Sequence, residues 1–270
     1  MNRETKLARR TRRVGFGVLL LLLASAAVPL TAQTTMPAAA EVNGSDRALA
    51  LNEQGAALAK AGRYSEAVEL FQRAIELEPD FAVAYNNLAV TYNELNRHQE
   101  AVGLLRHALL LKPDYAAALC NLGGAYLRLG ESNKALAAYQ QAINLKPEMI
   151  EAHIGLGLVY SGIDRHDRAV EIFRRATELD PDYAPAFSNL GAELADLHQY
   201  QQAITAYERA IQINPSFATA RFYLGLLYLR AKKRDAALAQ SKTLMEMDPA
   251  LADKLHARIY QGKILNVARR

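Results

Sequence analysis

The sequence predicts an all-α protein built from a repeated helical hairpin, and three observations carry the prediction. Pro79, Pro113, Pro147, Pro181, Pro215 and Pro249 are each 34 residues apart, a period that marks stacked structural units. Aligned on these prolines, six blocks follow without insertion: 48–81, 82–115, 116–149, 150–183, 184–217 and 218–251. Within each block, apolar residues recur at helical spacing in both halves, and strand-like alternation is absent.

The eighth position of every block is small (Gly55, Ala89, Gly123, Gly157, Gly191, Gly225), and the twentieth is always alanine (Ala67, Ala101, Ala135, Ala169, Ala203, Ala237). Small residues there let two antiparallel helices approach closely, where a Leu would overpack the crossing by about 1–3 kcal/mol. Bulky residues fill the remaining space: Leu58, Tyr92, Tyr126, Tyr160, Leu194 and Tyr228 at position 11, and Phe71, Leu105, Tyr139, Phe173 and Tyr207 at position 24. Each gains about 1.5–3 kcal/mol on burial, provided a neighbouring helix covers it.

The turn between the two helices falls at position 15, where Gly62, Asn96 and Gly130 suit the left-handed residue that ends a helix. Asp164, His198 and Lys232 occupy the same position later in the chain and specify it less well. The proline discourages helix at the residue before it, and Asp80, Asp114 and Asp182 just after it are expected to cap the next helix.

The last block departs from the pattern, with Ser241 and Leu244 where an aromatic and an alanine are expected. Leu251, Leu255 and Ile259 then form an apolar stripe that predicts a capping helix ended by Gly262, followed by a tail to residue 270. A terminal repeat needs such a lid over its open face.

The net charge of +4 comes from the start of the chain. Residues 1–27 hold six of the 32 basic side chains but a single acid, Glu4, which leaves 26 basic against 27 acidic residues in the rest. The body is acidic up to residue 220 and basic beyond it. Six basic residues, an apolar stretch from Val14 and the small residues Ala24 to Ala27 have the layout of a secretory signal peptide. Uncleaved, Val14 to Leu30 is long enough to serve as an N-terminal membrane anchor with a transmembrane helix. Either reading sends the repeats out of the cytoplasm, to the periplasm or beyond. Residues 28–47 read as a flexible linker, in which Asn43-Gly44-Ser45 has the form of a glycosylation acceptor.

The six blocks resemble the tetratricopeptide repeat (TPR) family over residues 48–251. The resemblance implies a right-handed α-solenoid of six helical hairpins plus the C-terminal capping helix, with the first helices lining a concave groove that binds protein. Family groove position 6 carries over to Glu53, Asn87, Asn121, Gly155, Asn189 and Tyr223. The three asparagines would form a broken ladder, joined by Asn52, Asn86 and Asn93, whose amides donate and accept as a peptide backbone does. At position 13, Lys60, Arg128 and Arg230 would add charge-assisted contacts. Replacing Asn87, Asn121 and Asn189 by Ala is expected to weaken partner capture without cost to folding. The family's clamp for chaperone C-termini is not matched, since Ala56 and Ala117 stand where it needs polar residues.

Little in the sequence points to chemistry. His98, His107, His153, His166, His198 and His256 are dispersed, and no pair has metal-ligand helical spacing with a third ligand near it. Gly-x-Ser-x-Gly and Walker-type loops are absent. The single cysteine, Cys120, has no intramolecular disulfide partner. The expectation is therefore a non-catalytic scaffold without cofactor or metal, binding a protein or peptide and no nucleic acid, because the body lacks the positive charge that phosphate contact requires. Membrane contact would come through the N-terminal segment. A structural tether, a self-assembling envelope protein and an accessory subunit of an enzyme complex are the alternatives.

Overall fold

The computed structural model describes residues 43–267, with side chains to residue 260. It is all-α: thirteen helices, and no strand, among the described residues. They form six hairpins and a final helix, the arrangement of an α-solenoid. In order they are α1 (Gly44–Lys60), α2 (Tyr64–Leu77), α3 (Ala82–Glu94), α4 (His98–Leu111), α5 (Ala116–Arg128), α6 (Ser132–Leu145) and α7 (Ile150–Gly162). There follow α8 (His166–Leu179), α9 (Ala184–Asp196), α10 (Tyr200–Ile213), α11 (Ala218–Arg230), α12 (Arg234–Met247) and α13 (Pro249–Val267). The described chain divides within α7 into two compact units, residues 43–155 and 156–267.

All six hairpin turns are built alike. Gly62, Asn96, Gly130, Asp164, His198 and Lys232 all have positive φ, between 60° and 77°. The next residue's N–H reaches back to the position-11 carbonyl, from Arg63 to Leu58 at 2.9 Å through Lys233 to Tyr228 at 2.8 Å. This six-residue closure satisfies carbonyls that the helix end would orphan. The turns that the sequence specifies less well thus adopt the same geometry, because packing of the flanking helices overrides the preference of Asp, His and Lys.

The first helices begin differently from expectation. Phe81, Tyr115, Tyr183 and Phe217 occupy the N-cap positions of α3, α5, α9 and α11 without any side-chain cap bond. Asp80 and Asp114 lie one residue too early, and the aromatic rings take the position for packing instead. In the first unit, Phe81 packs on the cluster of Leu51, Ala74 and Ala84. Helix α1 starts at Gly44, inside the expected linker, where the Asn43 side chain accepts a bond from the Ser45 N–H at 3.3 Å.

The core of the first unit gathers Phe71, Leu88, Tyr92, Leu105 and Leu122 around the invariably small crossings at Ala67, Ala89 and Ala101. In the second unit, Leu244, Ala252, Leu255 and Ile259 close the end of the array. The buried stripe of α13 runs through Ala252, Leu255 and Ile259, with Leu251 at its margin. Gly262 does not end α13, which continues to Val267; a mid-helix glycine costs only about 1 kcal/mol.

The expected transmembrane helix is withdrawn. Among the described residues no helix is long and apolar enough to cross a membrane. Even the 19-residue α13 carries Asp253, Lys254, Arg258 and Lys263, each of which costs several kcal/mol, about 2.5–3.5, at a bilayer centre. Residues 14–30, on which that expectation rested, lie outside the described residues, as do the proposed signal peptide and residues 28–42 of the linker.

Candidate functional site

Four of the expected site residues come together in the first unit as one hydrogen-bonded chain. Asn121 on α5 donates from Nδ2 to Asn86 Oδ1 on α3 at 2.8 Å. Asn86 Nδ2 donates to its neighbour Asn87 Oδ1 at 3.3 Å, and Asn87 Nδ2 donates to Asn52 Oδ1 on α1 at 3.0 Å. The chain spans the first helices of three successive repeats. Asn52 and Asn86 are buried, whereas Asn87 and Asn121 keep part of their surface.

This geometry revises the expected role of the amides. They are not free groups waiting for a peptide, since each already holds a neighbour, and Thr91 ties its hydroxyl to the Asn87 carbonyl at 2.9 Å. An amide that donates once and accepts once retains further bonding capacity, and here that capacity is fixed in orientation. A buried amide left without partners would cost about 1–3 kcal/mol, so the chain also registers one repeat against the next. Removing these side chains therefore carries a folding cost that the sequence did not reveal.

The row stops at repeat four for a steric reason. Position 6 there is Gly155, and a Cβ added to it would fall 2.2 Å from the Tyr139 ring. No side chain fits, so no fourth amide can continue the row in the first unit.

The other expected residues are employed elsewhere. Asn93 Oδ1 lies 3.1 Å from His98 Nδ1, and burial, then the charge of Arg128, hold the His98 imidazole below its ordinary pKa. Asn189 and Arg230 belong to the second unit, where the Arg230 guanidinium stacks 4.2 Å from the centre of the Tyr200 ring. A shallow hollow in the same unit is lined by Arg174, Phe187, Leu190 and Arg209. Its arginines are engaged, Arg174 with Gln202 at 3.0 Å and Arg209 with Pro181 O at 3.2 Å.

Sequence reasoning missed a polar cluster in the second unit. Glu193 on α9 is 2% exposed; its Oε1 accepts from Ser161 Oγ at 2.6 Å, and its Oε2 lies 2.7 Å from His166 Nδ1. Burial pushes the Glu193 carboxyl up from its ordinary pKa, against the two hydrogen bonds that pull it down. Ligand spacing along one helix could not reveal a group whose members sit in adjacent repeats. A signal was nonetheless present: Glu193 is at position 10, where the other blocks have Ala57, Thr91, Ala125, Val159 and Leu227.

Comparison with known proteins agrees with the fold and the repeat. A tetratricopeptide repeat model matches residues 80–148 and a second matches 120–184, while a TPR repeat model matches 55–96 and 191–231. Together they reach more than half of the chain. The chain belongs to the tetratricopeptide repeat family.

Among solved structures, this TPR chain is similar to PilF of Pseudomonas aeruginosa, at 21% identity with a TM-score of 0.70, covering 80% of this chain and 99% of that one. It is also similar to YrrB, described as a TPR protein with an unusual peptide-binding site, at 25% identity and TM-score 0.56, over 71% and 98% of the two chains. A thermophilic TPR protein of Thermus thermophilus matches at 24% and TM-score 0.58, over 67% and 99%. The likenesses at 21% and 24% concern the fold alone. No curated protein sequence matches. TPR proteins of this structural class are typically non-catalytic and generally serve as protein–protein interaction modules.

Proposed function

We propose that this TPR protein is a scaffold that holds an extended peptide segment of a partner along the first helices α1, α3 and α5, outside the cytoplasm. The observation that carries the reading is the amide chain Asn52–Asn87–Asn86–Asn121, which runs across those three helices with its members already oriented. Pre-orientation lowers the entropy lost when a ligand is bound. A peptide backbone offers alternating donors and acceptors at a spacing the side chains of such a row can meet with little regard for sequence. The likeness to YrrB and its peptide-binding site supports the same reading. Each new hydrogen bond contributes only about 0.5–1.5 kcal/mol, so affinity would rest on several contacts, and exposed Glu53 and Val83 beside the row would add to them. The basic, apolar and small-residue order of residues 3–27 supports export.

The test leaves the amides intact. A photo-crosslinking residue is introduced in place of Glu53 or Val83 on the first helices, and in place of Glu69 or Leu110 on the second helices, all of them exposed. Crosslinks to a common partner from the first pair and not the second are expected. Equal yield from both pairs would remove the first-helix surface as the binding site.

A further inference from the structure

The cluster around Glu193 contains more than a hydrogen-bonded acid. His166, Glu193 and Asp196 each bring a ligand atom within 4.8 Å of the other two. Their elements converge for clear reasons: His166 is the first residue of α8, set by the turn at Asp164, while Glu193 and Asp196 stand three apart, on one face of the last turns of α9. Asp164 Oδ1 lies 3.9 Å from His166 Nε2, on the other nitrogen of the ring. Asp164 thus adds negative charge on the far side of the ring.

His166 Nδ1 and Glu193 Oε2 lie 2.7 Å apart. A hydrogen bond joins them, with one proton held between the imidazole and the carboxylate. That proton leaves the Asp196 carboxylate beside Glu193 as a second acidic group. A divalent cation that displaces the proton would offset the charge of both carboxylates. One imidazole nitrogen and two carboxylate oxygens form a mixed donor set suited to zinc-class metals, the hydrogen-bonded pair spreading to admit bonds of about 2.0–2.2 Å; calcium and magnesium prefer oxygen alone. Ser161 Oγ, on Glu193 Oε1 at 2.6 Å, orients the carboxylate as outer-sphere partners commonly do.

We infer that His166, Glu193 and Asp196 form a binding site for a zinc-class divalent cation that fastens the fourth repeat to the fifth. The chain supplies its own control in the second block, where His98 occupies the same position 17 but Ala125 stands opposite in place of Glu193. His98 bonds Asn93 instead.

Zinc is the probe. The full chain, stripped with a chelator, is titrated with Zn²⁺ by calorimetry and melted with and without it. Saturable uptake of one Zn²⁺ per chain is expected, with a higher melting temperature. Asp196 is exposed and lies outside the Ser161–Glu193–His166 bonds, so Asp196→Asn should leave the zinc-free melting temperature unchanged and weaken zinc binding at least tenfold, within the roughly 10–100-fold range seen for altered metal surroundings. His166→Gln should weaken it further, and His98→Gln not at all. Absence of saturable binding, equal binding by Asp196→Asn and the parent, or an equal loss in His98→Gln would each overturn the assignment.

Discussion

Leu255 on α13 covers Gly225 on α11, so closely that a Cβ added to the glycine would fall 2.4 Å from Leu255 Cδ2. In the first repeat the corresponding Gly55 lies under Phe71 of its own second helix, at 2.8 Å on the same measure. The last repeat has Ser241 where that aromatic stands, and Ser241 bonds its hydroxyl to Ala252 O on α13 at 3.4 Å. The small residue thus admits the lid, and Leu255 takes the place of the missing ring. Leu255 is fully buried, so Leu255→Ala should cost about 2–4 kcal/mol, measured as a lowered urea midpoint. Leu251→Ala, at the margin, should cost clearly less.

The Tyr139 ring over Gly155 makes a second prediction. Gly155→Asn would restore the asparagine of position 6 in sequence but not in space, because even a Cβ there would sit 2.2 Å from ring carbons. Tyr139 is fully buried, so a shift of its ring would disturb the core side chains around it. The substitution should destabilise by about 1–3 kcal/mol or more through overpacking, visible in thermal melting. Gly155→Asn combined with Tyr139→Leu should recover part of that loss.

Lys232 holds φ 60° in the last hairpin turn, a conformation that costs a residue with a Cβ roughly 1–2 kcal/mol. Glycine removes that strain and loses some of the gain to unfolded-chain entropy. Lys232→Gly should therefore stabilise by about 0.5–1 kcal/mol, read as a higher denaturation midpoint, whereas Gly62→Lys in the first turn should lower it by a similar amount.

These cases mark what the sequence made legible. The 34-residue prolines, the small eighth position and the alanine at position 20 gave the hairpins and their crossings, since close approach leaves a strong compositional trace. Turn geometry at Asp164, His198 and Lys232 was less visible, because tertiary packing imposed it against local preference. Asn87 and Asn121 could be placed on the first helices from their register, yet their bonds to Asn52 and Asn86 could not, since a hydrogen bond 35 residues away leaves no periodic mark. Glu193 and His166 were hidden in the same way, although an acid at an otherwise small or apolar position was a usable sign.

Cys120 is buried in α5, and desolvation, with a smaller contribution from Glu151, pushes its thiol up to about 12. At pH 8 roughly one molecule in ten thousand would carry the reactive thiolate, against about a quarter for an ordinary thiol. Alkylation by iodoacetamide should be slow in the native protein and fast in denaturant. Since native reaction requires local opening, its rate at pH 8 reports the opening of the third repeat. Rapid labelling under native conditions would contradict the packing of α5.

The amide chain yields the last prediction, because Asn86, one of its two inner members, takes part in two of its three bonds. Asn86 is buried, accepts from Asn121 and donates to Asn87. Asn86→Ala removes the acceptor of Asn121 and the donor to Asn87, which keeps its bond to Asn52, and should cost about 1–3 kcal/mol. Asn189 shares the sequence register of Asn87 but belongs to no such chain, and Asn189→Ala should fall within about 0.5 kcal/mol of the parent. In a double-mutant cycle, Asn86→Ala and Asn121→Ala should couple by about 0.5–1.5 kcal/mol, measured by chemical denaturation. Independent effects would mean that the amides do not register the repeats, and a loss of partner capture in Asn121→Ala could then be read directly as a lost contact.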